Sequence, residues 1–206
     1  LGINKDGKKD VLGIWINENE SATFWTEVFE EIKARGVEEI LFISLDGLSG
    51  LSEAIEKIYP KAKTQRCIVH IVRNIYGILD KKKSKEIIGD LKKIYTASNG
   101  NNAKLEYENF IEKYKSNEKL IKKLNSVIEH IFNIFEYPIE IRKIIYTTNP
   151  IEGLNSSLRK VTRGKGSFIS KEALLKVLYL RIKDLEKSWS KRTKNWDNVK
   201  HQLIEL

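Results

Sequence analysis

Residues 40–45, ILFISL, constrain the fold more than any other stretch of this chain. A nearly continuous apolar run this short, closed by Asp46-Gly47, fits a strand buried on both faces inside a helix-covered sheet. The patterns around it agree. Residues 1–4 and 11–17 read as two strands joined by the Asp-Gly turn at 5–8. Ser21 is placed to cap a helix with Phe24, Val28, Phe29 and Ile32 as its apolar stripe, stopped at Gly36. A second helix spans about 51–59 and ends at Pro60. Residues 64–71, TQRCIVHI, fit another strand, with Cys67 and Val69 on one face. From about 72 to 135 the periodicity turns helical, broken by the loop 98–102. Pro138 punctuates it, and two more helices follow at about 150–161 and 171–189. An antiparallel hairpin feeding alternating strands and helices implies an α/β fold, a mixed sheet with helices on its faces. The expected organisation is a sheet core over 1–71, a helical insertion over 72–136, and C-terminal helices over 137–206 that complete the core.

Charge is unevenly spread. Residues 1–60 carry 6 basic and 12 acidic side chains, whereas residues 142–206 carry 15 and 6. A basic region of this kind points to a polyanion, most often nucleic acid, against the plainer reading of a lysine-rich solvated surface. The single cysteine excludes a disulfide framework and fits a reducing cytoplasm. No apolar run approaches the ~18 residues of a membrane span. The opening LGINKDGKKD lacks the apolar core of a signal peptide. With Leu1 first and no methionine, the chain is expected to start downstream of a natural translation start.

Asp46 stands at the end of the most apolar strand, where a carboxylate is a good hard-cation ligand; a plain Asp-Gly turn is the competing reading. Glu152 lies in TTNPIEGLNSSLRK, residues 147–160. With Asn149 as cap and Pro150 first in the helix, a capping-box role would explain this Glu by itself. The same helix offers Asn155, Ser156 and Arg159 near Glu152, with Ile151, Leu154 and Leu158 on a separate apolar face. Arg159, Lys160, Arg163 and Lys165, with Gly164 and Gly166 between them, form a cationic loop suited to phosphates. Lys81, Lys82 and Lys83 read as solvent-facing. Cys67-x-x-His70 is half of a zinc pattern, but the chain has no second cysteine, so a structural role is expected for both residues. No Walker or dinucleotide glycine loop is present, which argues against ATP- or NAD-dependent chemistry.

Three segments, GKKDVLGIWINENESATFW at 7–25, ISLDGLSGLSEAIEKIYPKAKTQRCIVHIVRN at 43–74 and YPIEIRKIIYTTNPIEGLNSSLRKVTRGKGSF at 137–168, resemble in order the catalytic region of Mutator-type bacterial insertion-sequence transposases. The resemblance implies an RNase H-like fold with an all-helical insertion and a catalytic triad of two Asp and one Glu. It implies that Asp46 is the second Asp, that Glu152 is the Glu, and that Cys67 and His70 match the family's C-x-x-H signature. The first Asp and the element-end-reading region are expected upstream of residue 1. The middle, about 97–136, is shorter than the family's and lacks its tryptophans. The function implied is metal-dependent DNA strand cleavage and strand transfer. Asp46 and Glu152 would hold Mg²⁺, with Mn²⁺ as a substitute, and Asn155 and the basic loop would hold double-stranded DNA. The partners implied are transposon ends, target DNA and further copies of the full-length protein, in the cytoplasm of a bacterial or archaeal cell. The alternative, from another class, is a non-catalytic truncated remnant that binds DNA or pairs with full-length transposase.

Overall fold

The computed structural model describes the whole chain except residues 18, 48, 49, 147, 148, 165, 190 and 206, and the side chains of Asn149, Pro150 and Glu152. Helices dominate the described residues, and the strands are four short ones in two separate pairs. β1 (Gly2–Ile3) and β2 (Lys9–Asp10) form an antiparallel hairpin. β3 (Phe42–Leu45) and β4 (Lys63–Arg66) pair in parallel, with Leu45 opposite Arg66. The sequence pattern predicts one mixed sheet; among the described residues the hairpin does not join the parallel pair.

Two segments explain the smaller sheet. Alternation at 11–17 predicts a strand, yet these residues are irregular. Leu12 and Trp15, which alternation would send to opposite faces, both pack against the cluster under α1 (Ala22–Ala34). The Trp15 indole N–H donates to Glu31 Oε2 at 2.7 Å, and the Arg35 guanidinium donates to the Leu12 carbonyl. Docking on a helix thus takes the place of a strand ladder. The other segment is 64–71, where the strand stops at Arg66 and α3 (Ile68–Tyr76) begins. Ile68, Ile71 and Ile75 fall at helical spacing and are at most 2% exposed, so burial of one helical stripe outweighs the β propensity of Ile and Val.

Ser21 caps α1 as expected, its side chain accepting from the Phe24 N–H at 3.2 Å. α2 (Leu51–Ile58) packs on α1, and Val28, Ile32, Leu45, Ala54, Ile55 and Tyr59 form the smaller core. The larger core is helical. It runs through α3, α4 (Lys81–Tyr95), α5 (Gly100–Tyr114), α6 (Glu118–Asn125), α7 (Ile128–Phe132), a 3₁₀ turn at Asn133–Glu136 and α8 (Ile139–Tyr146). Lys81, Lys82 and Lys83 are exposed on the first turn of α4. The break at 98–102 is a capped helix start, because Asn99 Oδ1 accepts from the Asn102 N–H at 2.9 Å. Phe42 of β3 meets the Tyr137 ring edge-on at 5.3 Å, which ties the parallel pair to this core.

α4 and α5 are clasped by Asp90. Its carboxylate accepts from Lys93 at 2.8 Å, from Lys113 at 2.7 Å and from the Tyr114 hydroxyl at 2.8 Å. The Lys113 and Lys93 hydrogen bonds hold the Asp90 carboxyl well below the usual carboxylate range, and Asp90 in turn raises Lys113. Since the folded-state value is depressed, the stabilisation is present above the ordinary carboxylate value of about 4 and is lost as acid protonates the native state. Asp90→Asn should therefore lower stability by about 1 kcal/mol near neutral pH, a figure discounted for the exposed lysines. Thermal melts of both proteins from about pH 7 down to about pH 2 should converge as pH falls. A gap that stays constant over that range counts against the clasp.

α9 (Asn149–Thr162) packs on α10 (Lys171–Ser188), and α11 (Trp196–Ile204) on α8. The segment before α11 returns to the first hairpin. The Thr193 N–H donates to the Gly7 carbonyl at 2.8 Å, Arg192 Nε to the Asp6 carbonyl at 2.9 Å, and Trp196 Nε1 to the Lys5 carbonyl at 3.0 Å. Gly7 has φ +79°, and a Cβ there would lie 2.4 Å from Trp196 Cγ, so conformation and close approach both require glycine.

Candidate functional site

The carboxyl end of the parallel pair gathers the first candidates. β3 delivers Asp46 and β4 delivers Cys67, and the Cys67 N–H donates to the Leu45 carbonyl at 2.6 Å. Asp46 is exposed. Gly47 follows with φ +93°, and a Cβ there would stand 2.6 Å from Arg66 Nε. The Arg66 guanidinium thus lies directly on the Asp46-Gly47 turn. Its Nε is buried with no hydrogen-bond partner among the described residues. Sequence reasoning passed over Arg66; lining up the ends of two parallel strands would have found it. Burial, and then the Arg66 charge, push the His130 imidazole below its ordinary range, while the backbone carbonyl of His130 accepts from Gln65 Nε2 at 2.7 Å.

Cys67 is buried and engaged in no disulfide. It caps α3 instead of lying within a strand, so the C-x-x-H spacing spans one helical turn. His70 is partly buried on that turn, and its Nδ1 has no hydrogen-bond partner among the described residues. No group of three or more His, Cys, Asp or Glu able to hold a metal ion occurs among the described residues. At the carboxyl end of β3, Asp46 is an exposed carboxylate of the kind a hard divalent cation takes. Such an ion uses one or two carboxylates, with water and phosphate oxygens for the remainder.

α9 carries the second set. Leu154 and Ser157 are buried, and Ser157 Oγ accepts from Arg181 Nε of α10 at 2.8 Å. Ile151, expected on the apolar face, is 39% exposed, because the face that meets α10 is turned toward Leu154, Ser157 and Val161. Asn155, Arg159 and Lys160 are exposed on the helix, and Arg163 is exposed just beyond it. Asn155 and Arg159 lie one helical turn apart, whereas Lys160 lines a cleft with Ser157 and Leu185. Lys165 and the Glu152 side chain lie outside the described residues, and with them the meeting of Asp46 and Glu152 carboxylates. The backbone places Glu152 in the first turn of α9.

A cleft of about 400 Å³ opens beside that turn. Its walls come from α9 (Gly153, Leu154, Ser156, Ser157, Lys160), from the end of α10 (Leu185, Trp189) and from Lys9 of β2. Lys9 Nζ stands 5.9 Å from the centre of the Trp189 ring. No local signal links positions 9 and 189; they meet because the C-terminal segment clasps the hairpin.

Comparison with known proteins gives a consistent picture. Residues 1–192 match the family described as "Transposase, Mutator family". The chain is 36% identical, over its full length, to the transposase for insertion sequence element ISRM3 of Rhizobium meliloti and to a probable ISRM3-like transposase of Sinorhizobium fredii. It is 28% identical over 96% of its length to the transposase for IS256 in transposon Tn4001 of Staphylococcus aureus. The chain spans about half the length of these relatives: 52% of the first two and 51% of the third.

Proposed function

Because this chain belongs to the Mutator family of transposases, we propose that it is the catalytic region of an insertion-sequence transposase that cuts DNA strands and joins them to a target. The observation that carries this reading is the Asp46 turn at the carboxyl end of β3, with Arg66 lying on it. In this reading β3 and β4 are the centre of an RNase H-like core, residues 72–136 are its helical insertion, and residues 137–206 return α9 to the core. Asp46 and Glu152 are the catalytic carboxylates and would hold Mg²⁺, or Mn²⁺ in its place. The ion, when bound, supplies Lewis-acid activation of water or a 3′-hydroxyl and charge stabilisation at the phosphate. Asn155 orients the scissile phosphate. Arg159, Lys160, Arg163 and Lys165 grip the backbone of double-stranded DNA, which includes transposon ends and target. Cys67 and His70 hold the β4–α3 junction in place. Further copies of the full-length protein, in the cytoplasm of a bacterial cell, are the expected partners. No helix among the described residues is long and apolar enough to cross a membrane.

The test is strand cleavage of a labelled duplex carrying an element end by the full-length transposase. Cleavage that needs Mg²⁺ or Mn²⁺ and stops with Glu152→Gln supports the assignment. Salt-sensitive binding with no cleavage under either ion points to the non-catalytic reading.

A further inference from the structure

We propose that the cleft between α9, the end of α10 and β2 receives one unpaired nucleotide of the bound DNA, its base against Trp189 and its phosphate between Lys9 and Lys160. This rests on the DNA reading above and adds a subsite to it. At about 400 Å³ the cleft falls within the ~300–1,000 Å³ of small-ligand pockets. Its chemistry is divided as a nucleotide's is. Leu154, Leu185 and the Trp189 ring supply an apolar, aromatic wall, and Lys9 and Lys160 supply cations. The Ser157 oxygen already accepts from Arg181, so its O–H is left to donate. Lys9 Nζ, over the Trp189 ring at 5.9 Å from its centre, is near enough to swing aside and meet the phosphate of a base that takes its place on the ring. The cleft begins at Gly153, directly after Glu152, so a nucleotide seated there would adjoin the proposed cleavage site. A paired base cannot enter such a recess without leaving its stack, and stacking on an aromatic side chain is tolerant of base identity. The subsite therefore selects an unpaired nucleotide rather than a sequence.

The experiment compares two duplexes of the same sequence, one fully paired and one with a single unpaired 2-aminopurine, binding to the protein and to its Trp189→Leu and Trp189→Phe variants. The unpaired probe should bind about tenfold more tightly than the paired duplex, equivalent to ~1.4 kcal/mol and within the range for one stacked base, and its fluorescence should fall. Trp189→Leu should abolish both effects and leave paired-duplex affinity within about twofold; Trp189→Phe, which keeps a π face, should retain most of the preference. Lys9→Ala should weaken only the unpaired probe. A preference that survives Trp189→Leu, or wild-type protein that binds both duplexes equally, overturns the subsite while leaving the DNA reading intact. Wild-type protein that binds neither duplex overturns the DNA reading and the subsite with it.

Discussion

Asp46→Asn should abolish divalent-dependent strand cleavage by the full-length transposase while leaving its affinity for duplex DNA within about twofold. The substitution replaces one carboxylate oxygen by an amide NH₂ at nearly constant volume. It removes the charge that makes Asp46 a hard-cation ligand at the end of β3. Asp46 is exposed, so the amide adds no buried polar group to the fold. A rate loss of about three orders of magnitude is expected, equivalent to ~4 kcal/mol in the barrier. Single-turnover cleavage beside a binding titration separates chemistry from affinity. Retention of more than about a tenth of the wild-type rate would remove Asp46 from the catalytic set.

The second large effect is electrostatic. Changing Arg159, Lys160, Arg163 and Lys165 together to Ala should flatten the dependence of log K on log salt by about 3 to 4, near 0.9 for each phosphate no longer neutralised. Affinity should fall to a similar degree for unrelated sequences, because phosphate recognition carries little base information. Arg159, Lys160 and Arg163 are exposed, and alanine is the best helix former, so positions 159 and 160 should keep α9 intact. Binding isotherms at several salt concentrations are the measurement. An unchanged slope and affinity in the quadruple variant would show a merely solvated surface. The slope is read on paired duplex, which does not enter the cleft that Lys160 also lines, and Trp189→Leu should leave it as it is.

Local chemistry made much of the fold legible in the sequence. Ser21 before an apolar stripe, the closed run at 40–45 and Pro60 after α2 are self-contained signals, and each fixed an element to within a residue or two. Residues 64–71 misled because Ile and Val favour strands, while their spacing at 68, 71 and 75 is helical and only packing decides between the two. Residues 11–17 alternate like a strand but dock on α1 through Leu12 and Trp15. At the site, Asp46 stood out because a strand end announces itself. Arg66 did not, since its importance comes from register with Leu45 across the parallel pair. The Lys9–Trp189 encounter joins opposite ends of the sequence, and no window along the chain contains both.

The clasp between residues 5–7 and 192–196 also sets an order of events during synthesis. The helical body from α3 to α8 is built from neighbours in sequence and can form as the chain emerges. The hairpin turn closes on its own Asn4–Lys8 and Asn4–Gly7 hydrogen bonds, but it cannot dock on the C-terminal segment until Thr193 and Trp196 have been made. At ribosomal rates of ~5–20 residues per second, Gly7 waits roughly 10–40 s for its partners. Until Trp189 is made, Lys9 has no ring beside it and the α10 wall of the cleft is missing. Closure of the loop between residues 7 and 193 thus follows formation of the helical body, and a chain halted before residue 189 would hold that body with neither the Thr193 nor the Trp189 contact made.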